Sequence, residues 1–497
     1  MMELGNYCFY IYIKQPKNKQ MKRIFLSAFL LVSLSLSAQN IDRKQVVERN
    51  NPHVVTMDSL NSLSVGNGGF AMTVDGTGLQ SFPKSYSKGV PLGTMSDWGW
   101  HSFANPENYK PEESWRYYDY GRGRKEPYAT QIKEDKRKKA AGDWYRVNPH
   151  RLHLGTLGLS LGSDPKNIQQ VNQILDMWDG MIKSSFIYHG RAYHVETTCH
   201  PELDMIATHV QSKGSIAFDI RFAYPTGGHC DDACDWNKDH LHSTMLVSQD
   251  KNSAVLKRTI DETVYFVMLR WQGTAKFKQK GKNFYQLQSK SADLKLTCEY
   301  AEQVSSVSKT FAEVADAAKV YWNRYWQKGA MVDFGQCKDP RAQEMERRVV
   351  LSQYLLAIQD AGETPPQETG LTYNSWFGKF HLEMILWHQA QFALWGHPEL
   401  LERSLSWYFK AEPNARKIAQ RQGFKGVRWM KMTDPGAGEA PSSVGSFLIW
   451  QQPHLIYLAE LLYRADPSPA ILQKYAKLVD ETAEFMGDFA EYDKEKD

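Results

Sequence analysis

Between about residue 60 and residue 300, apolar positions alternate with polar or small ones. Ile216, Phe218, Ile220, Phe222 and Tyr224 fall on every second position, as do Leu294, Leu296, Cys298 and Tyr300. A period of two sends such side chains to one face of a strand, where they can reach a core. The turn-forming stretches GNGG, DGTG, YHGR, TGGH and KQKGKN separate these runs. The pattern predicts an antiparallel β-sandwich over residues 42–305. GNGG, at residues 66–69, lies between two such runs and is read as a hairpin turn rather than a phosphate loop.

Past Val307 the period lengthens. FAEVADAAKVYWNRYWQKG is predicted as one helix stopped by Gly329, giving a linker over residues 306–336. Helical runs follow: RAQEMERRVVLSQYLLAIQDAG, FGKFHLEMILWHQAQFALWG, PELLERSLSWYFKAEPNARKIAQRQG, IWQQPHLIYLAELLYRA and PSPAILQKYAKLVDETAEFMGDFA. The expected fold class is therefore α+β and multidomain: an N-terminal antiparallel β-sandwich, a linker helix, then helices over residues 337–497. EYDKEKD follows the last helix without a closing element, so the natural product is expected to be longer.

Charge adds an exclusion. The 60 Lys and Arg against 56 Asp and Glu give a formal net charge of +4 over 497 residues, too balanced for a nucleic-acid surface. The basic run KEDKRKKAAG, residues 133–142, is read as a solvated loop. Residues 21–38 carry two cations, an apolar stretch and then Ser37 and Ala38, the pattern of a secretory signal. Residues 1–38 are accordingly read as an extension plus signal peptide, and the mature protein as exported, periplasmic or extracellular. No later apolar run is long enough to span a bilayer.

Of the six cysteines, Cys8 precedes the signal, leaving an odd number: Cys199, Cys230, Cys234, Cys298 and Cys337. Cys230 and Cys234 could be bridged or join His229 around a metal, but their spacing is not that of a C-x-x-C pair. His381, Glu383 and His388 lie on a stretch read as helical. There His381 and Glu383 point in different directions, and His381 and His388 stand two turns, about 10 Å, apart. No metal or other cofactor is expected. Nucleophile-elbow, Walker and dinucleotide-binding motifs are absent from the sequence.

Aromatic residues are abundant, with 15 Trp, 25 Tyr and 22 Phe, and many lie in polar segments such as MSDWGWHSF and ESWRYYDYGRGR. Flat rings in polar loops suit the C–H faces of sugars. Two long loops interrupt the helices, residues 362–384 and 423–443, and long ordered loops tend to carry function. The second, GFKGVRWMKMTDPGAGEAPSS, holds Glu439 in a Gly/Pro-rich setting that can hold a carboxylate above a cavity. Aromatic neighbours such as Trp429 would favour its protonated form, as a general acid needs. Glycosidic bonds break when one carboxyl group protonates the departing oxygen while a second group promotes attack at the anomeric carbon.

This order of features resembles the six-hairpin glycosidases, whose helical domain is an (α/α)6 barrel, and in particular glycoside hydrolase family 65, the maltose/kojibiose phosphorylase and trehalase-like group. That family's G-x-x-G-x-x-x-P-W and G-x-E pattern is matched by Gly423, Gly426 and Trp429 followed by Gly438 and Glu439. The resemblance carries the general-acid role onto Glu439. WFGKFHLEM resembles the sugar-binding W-D-T-E segment, with Glu383 at the final acid and His381 and Leu382 where the aspartate would fall.

The resemblance implies a partial toroid truncated at the C-terminus, with the base that activates water beyond Asp497. The expected function is an exported, inverting glycoside hydrolase acting on an oligosaccharide or glycan. Trp376, His381, Glu383, Arg428, Trp429, Lys431, Gln452 and His454 would form the sugar site. The alternatives are a disaccharide phosphorylase and a non-catalytic carbohydrate-binding or scaffold protein.

Overall fold

The computed structural model describes residues 41–119 and 125–492. The signal read at residues 21–38 lies outside the described residues. The described residues from Arg43 onward belong to one compact unit.

The alternating runs form two antiparallel sheets. The larger has nine strands in the spatial order His53–Val54, Ile168–Asp176, Met181–Tyr188, Arg191–Cys199, Met205–Ser212, Asp293–Ala301, Thr263–Gln272, Ser253–Ile260 and His242–Gln249. The smaller has four: Ala275–Gly281, Phe284–Ser289, Ile216–Arg221 and Thr156–Leu159. Phe218 and Ile220 of the small sheet share one buried core with Val195, Leu269 and Leu296 of the large one. Trp271 stacks on Phe277 across the two sheets, ring centroids 6.1 Å apart. The register follows the tight turns. His189 and Gly190, both at positive φ, close the hairpin that pairs Tyr188 with Arg191. GNGG joins the paired strands Leu63–Gly66 and Phe70–Val74.

The described helices of eight or more residues are α1 (Lys136–Val147), α2 (Phe311–Gln327), α3 (Ala342–Gln359), α4 (Ile385–Leu394), α5 (Pro398–Arg421), α6 (Gln452–Ala465) and α7 (Pro469–Phe489). In α2 the Thr310 side chain accepts from the Glu313 N–H while Glu313 reaches back to the Thr310 N–H, a capping box that fixes the helix start. α3 lies against the Leu63–Gly66 hairpin, where the Tyr354 hydroxyl donates to Ser64 O at 3.2 Å. Helices α4 and α5 pack as neighbours, α6 packs on both, and α7 returns along α6. The chain is thus a mixed α+β protein built on a large antiparallel sheet.

Two local readings need correction. The basic run at residues 133–142 is not a loop. Lys136, Arg137, Lys138 and Lys139 begin α1, whose N-cap Asp135 accepts from the Lys138 N–H. The stretch FGKFHLEM is not helical either, since α4 starts only at Ile385. Trp376, Phe377 and Gly378 have φ of 48°, 65° and 71°, three successive left-handed residues that no right-handed helix accommodates. After them Phe380–His381 pairs with Met432–Thr433, which ties the two long loops together.

Gly426 marks where the second loop crosses α7. It has φ 66°, and a Cβ there would stand 2.1 Å from Glu481 O and 2.6 Å from Phe485 N. Gly426→Ala is therefore expected to cost more than about 2 kcal/mol, from the left-handed backbone plus displacement of α7. A urea midpoint within error of the parent would contradict this close approach.

Candidate active site

The second loop is built as a rigid shelf. Gly423, at φ 75°, ends the helical path of α5, and the chain is then fastened by Val427 N–H to Glu481 O and Arg428 N–H to Ala415 O, both 3.1 Å. The Trp429 N–H donates to Gln452 Oε1 at 2.6 Å, and Gln452 Nε2 donates to Val427 O at 3.1 Å. Trp429 Nε1 donates to Thr482 Oγ1 at 2.9 Å, and its ring meets Tyr408 edge-on at 4.8 Å. Arg428 donates to Gln422 Oε1 and, at 2.7 Å, to Ser446 O, with its guanidinium over the Tyr128 ring. Arg428, Trp429 and Gln452 are thus buried fasteners of the loop, bonded to protein rather than aimed at open space.

Further along, Asp434 organises the tip. Its Oδ1 accepts from the N–H groups of Gly436 and Gly438, both 3.0 Å, and its Oδ2 faces Lys379 Nζ at 3.3 Å. Lys379 is fully buried and also donates to Asn148 O at 3.1 Å. Burial pulls the lysine's pKa down while the Asp434 charge opposes that shift. Trp407 Nε1 donates to Pro435 O at 3.1 Å and Asn414 Nδ2 to Ala437 O at 2.8 Å, so α5 holds the same turn from below. A Cβ at Gly438 would lie 2.7 Å from Asp434 Oδ2, so a larger residue there would displace that carboxylate.

Glu439 follows directly and lines a cavity of about 660 Å³. The cavity's other walls include Trp115 from the strand Trp115–Asp119, Trp144 and Tyr145 from α1, and Asn414 and Arg421 from α5. The Glu439 side chain is 10 % exposed and accepts two hydrogen bonds from Arg421, Nη1 to Oε2 at 2.5 Å and Nη2 to Oε1 at 2.7 Å. The Arg421 guanidinium lies over the Trp115 ring, 4.4 Å from its centroid, and its Nε is buried without a partner. Glu439 therefore faces an aromatic cavity large enough for a sugar unit, and both its oxygens are engaged by Arg421. Donating a proton from this position requires that pair to open.

The remaining sequence-derived residues gather elsewhere. Trp376 is half-buried with Lys431 Nζ 4.8 Å and the Arg146 guanidinium 5.8 Å from its ring. Lys431 pairs with Glu383 Oε1 at 2.6 Å. The His381 ring lies 5.6 Å from Trp376, fully buried, with neither nitrogen hydrogen-bonded. Burial, reinforced by the Lys431 charge, lowers its pKa to about 3, so it is neutral at pH 7. His454 makes a 3.0 Å hydrogen bond to Leu382 O, packed beside Trp387 and Trp450.

Trp376 and Lys431 share a second, smaller cavity with Arg146, Ala440 and Ser442. Residues 438–442 thus contribute to two separate cavities: Gly438 and Glu439 to the larger, Ala440 and Ser442 to the smaller. The structure brings Trp376, His381, Glu383 and Lys431 together and leaves Glu439 with a different set of partners.

That set, Trp115, Trp144, Tyr145, Asn414 and Arg421, was not singled out by the sequence reasoning. The one signal available was the concentration of aromatic residues in ESWRYYDYGRGR and in DWYRV at the end of α1. All five described cysteines are free. Cys230 Sγ lies 3.2 Å from His229 Nδ1, and the His229 ring meets Trp376 at 4.2 Å. Among the described residues no group of three or more His, Cys, Asp or Glu is placed to hold a metal ion, and no helix is long and apolar enough to cross a membrane.

No family model and no curated protein matches the sequence. Solved structures do match. One is assigned as a kojibiose phosphorylase from the human microbiome: TM-score 0.61, 11 % identity, covering 90 % of this chain and 61 % of that one. A bacterial glucoamylase complexed with acarbose matches at TM-score 0.40 and 11 % identity over 63 % of this chain and 49 % of its own. A family GH92 α-mannosidase from Bacteroides thetaiotaomicron matches at 0.28 and 8 % over 65 % and 49 %. The chain spans 61 % of the first structure's length, and only that likeness is strong enough to bear on the fold. The mixed α+β fold of this chain, with its large antiparallel sheet, thus resembles that of the structure assigned as a kojibiose phosphorylase.

Proposed function

We propose that this chain carries the acid-bearing part of an enzyme that cleaves glycosidic bonds in an oligosaccharide or glycan, with Glu439 as the general acid. The observation that carries the reading is the position of Glu439 on a rigid shelf facing a cavity of about 660 Å³ walled by Trp115, Trp144 and Tyr145. Aromatic walls offer apolar faces to sugar rings, Asn414 offers an amide, and the carboxyl group sits where a glycosidic oxygen could meet it. Arg421 holds both oxygens of Glu439. Substrate that competes for the guanidinium, or for the space over Trp115, would free the carboxyl group.

Hydrolysis with inversion is the first reading, in which a second group activates water on the face opposite Glu439. The pattern at residues 21–38 supports export, where a free sugar is a more useful product than a sugar phosphate. Phosphorolysis is the second reading, supported by the likeness to a protein assigned as a kojibiose phosphorylase.

The test is to incubate the full gene product with a panel of α- and β-linked oligosaccharides, with and without inorganic phosphate. Free sugar released in both conditions supports hydrolysis, and a sugar 1-phosphate formed only with phosphate supports the second reading. If neither appears with any substrate, the proposal fails. Within an active enzyme, Trp144→Ala is expected to raise KM roughly 3–10-fold, the worth of one aromatic contact. An unchanged KM would remove Trp144 from the sugar site.

A further inference from the structure

A third concavity, of about 420 Å³, lies on the nine-stranded sheet and shares no residue with the cavity that holds Glu439. Strand register builds its floor. Ser253, Arg270 and Thr297 are direct partners on three adjacent strands of the nine-stranded sheet, and directly paired residues present their side chains to the same face. The next rung adds Gln272 opposite Lys295. One wall is the turn that carries Asp250 and Lys251. The other is the segment Ser308 to Thr310 leading into α2, fastened across the sheet by the Thr297 hydroxyl donating to Lys309 O at 3.1 Å.

The charge of this trough is one-sided. Lys251, Arg270, Lys295 and Lys309 line it, against a single lining carboxylate, Asp250, which already accepts from the Ser253 hydroxyl at 3.3 Å. None of the three lysine side chains has an ion pair or hydrogen bond among the described residues. Lys295's acidic neighbour Asp293 is engaged by His209 and Gln211, each at 2.9 Å. The Arg270 side chain is 22 % exposed, and its Nη1 is buried with no hydrogen bond. That Nη1 is ion-paired with Glu299 Oε2 at 3.8 Å, too long for a hydrogen bond, and Glu299 Oε2 is itself buried without one. The exposed part of the Arg270 side chain meets the trough, where its charge favours an entering oxyanion.

We propose that this trough is a binding site for the anionic group, sulfate ester or carboxylate, of an acidic sugar unit. Arg270 lies at its floor and Lys251, Lys295 and Lys309 close around the charge. The volume accommodates a sugar bearing the group rather than the anion alone. The site lies apart from Glu439, so it would hold a glycan chain without acting on it.

Calorimetric titration at low ionic strength tests this with four probes: a sulfated disaccharide, a uronic-acid disaccharide, a neutral disaccharide of the same size, and inorganic sulfate. Binding of an acidic disaccharide is expected, weakened at least about tenfold in the double variant Lys295→Gln/Lys309→Gln and unchanged in Glu439→Gln. Both lysines are at least partly exposed, so the double variant should fold, and its far-UV spectrum and thermal midpoint provide the check. Equal affinity for the neutral disaccharide, no binding of either acidic disaccharide, or an affinity untouched by the double variant would overturn the proposal. Sulfate binding as tightly as the sulfated disaccharide would also overturn it, reducing the site to one for a free inorganic oxyanion. Loss of acidic-sugar binding in Glu439→Gln alone would assign the ligand to the other cavity and overturn the proposal.

Discussion

Glu439→Gln is expected to lower turnover by roughly 10²–10⁴-fold while leaving KM within a few-fold of the parent. The amide keeps the size of the side chain and its place facing the cavity, but it has no proton of suitable acidity to give a departing oxygen. The loss should shrink for substrates with a good leaving group, such as aryl glycosides, because protonation of the leaving oxygen then matters less. That dependence separates lost acid catalysis from a displaced shelf, which would depress all substrates alike. Steady-state kinetics on one aryl and one alkyl glycoside provide the measurement. Equal losses on both would remove the acid role from Glu439.

Asp434→Ala is expected to have the largest effect on stability, about 3–5 kcal/mol, because it leaves Lys379 buried without a counter-charge. Lys379 is fully buried, its side chain bonded to Asp434 and to Asn148 O, and the same Asp434 carboxylate organises the turn at Gly436 and Gly438. Loss of the carboxylate should therefore loosen the shelf under Glu439 as well as unfold more easily.

The pH dependence has a definite sign. Burial already depresses the pKa of Lys379, and removing Asp434 deepens that depression. The unfolded lysine keeps its proton up to about pH 10.4, whereas the folded variant would give it up earlier. The unfolded state then binds more protons, and the variant's stability rises with pH across that window. Denaturant titrations of parent and variant at pH 7 and pH 9.5 should show the deficit narrowing. A deficit below about 1 kcal/mol, or one that widens with pH, would contradict the buried pair.

What the sequence made legible follows from how local the causes are. The strand Ile216–Arg221 and the helix Phe311–Gln327 emerge as read, since alternation in one and a capping box with a glycine stop in the other are set within a few residues. FGKFHLEM misled because its apolar spacing fits a helix. The opposing cause, strand pairing of Phe380–His381 with Met432–Thr433, comes from a loop some fifty residues away. The lysine-rich start of α1 looked like a solvated loop because its outward face is charged. Its fully buried residues, Ala141 and Gly142, are too small to show an apolar face in the sequence.

At the site, Glu439 was legible from its Gly/Pro surroundings, but its partner was not. Arg421 lies eighteen positions earlier at the end of a long helix, where an arginine ordinarily answers the helix dipole. Trp429 and Gln452 were read as sugar contacts because aromatic and amide groups serve that purpose. The same hydrogen-bonding capacity also fastens a loop, and here Trp429 and Gln452 bond to Thr482, Val427 and each other.

If Glu439 and the Trp115–Trp144 cavity form one sugar site, a crystal structure of the protein with a bound oligosaccharide or iminosugar will show it. The predicted result is a ring seated between Trp115 and Trp144, with the Glu439 carboxyl group within hydrogen-bonding distance of the glycosidic oxygen or its mimic and parted from Arg421. A ligand seated instead against Trp376 and Lys431, with Glu439 still held by both nitrogens of Arg421, would contradict it.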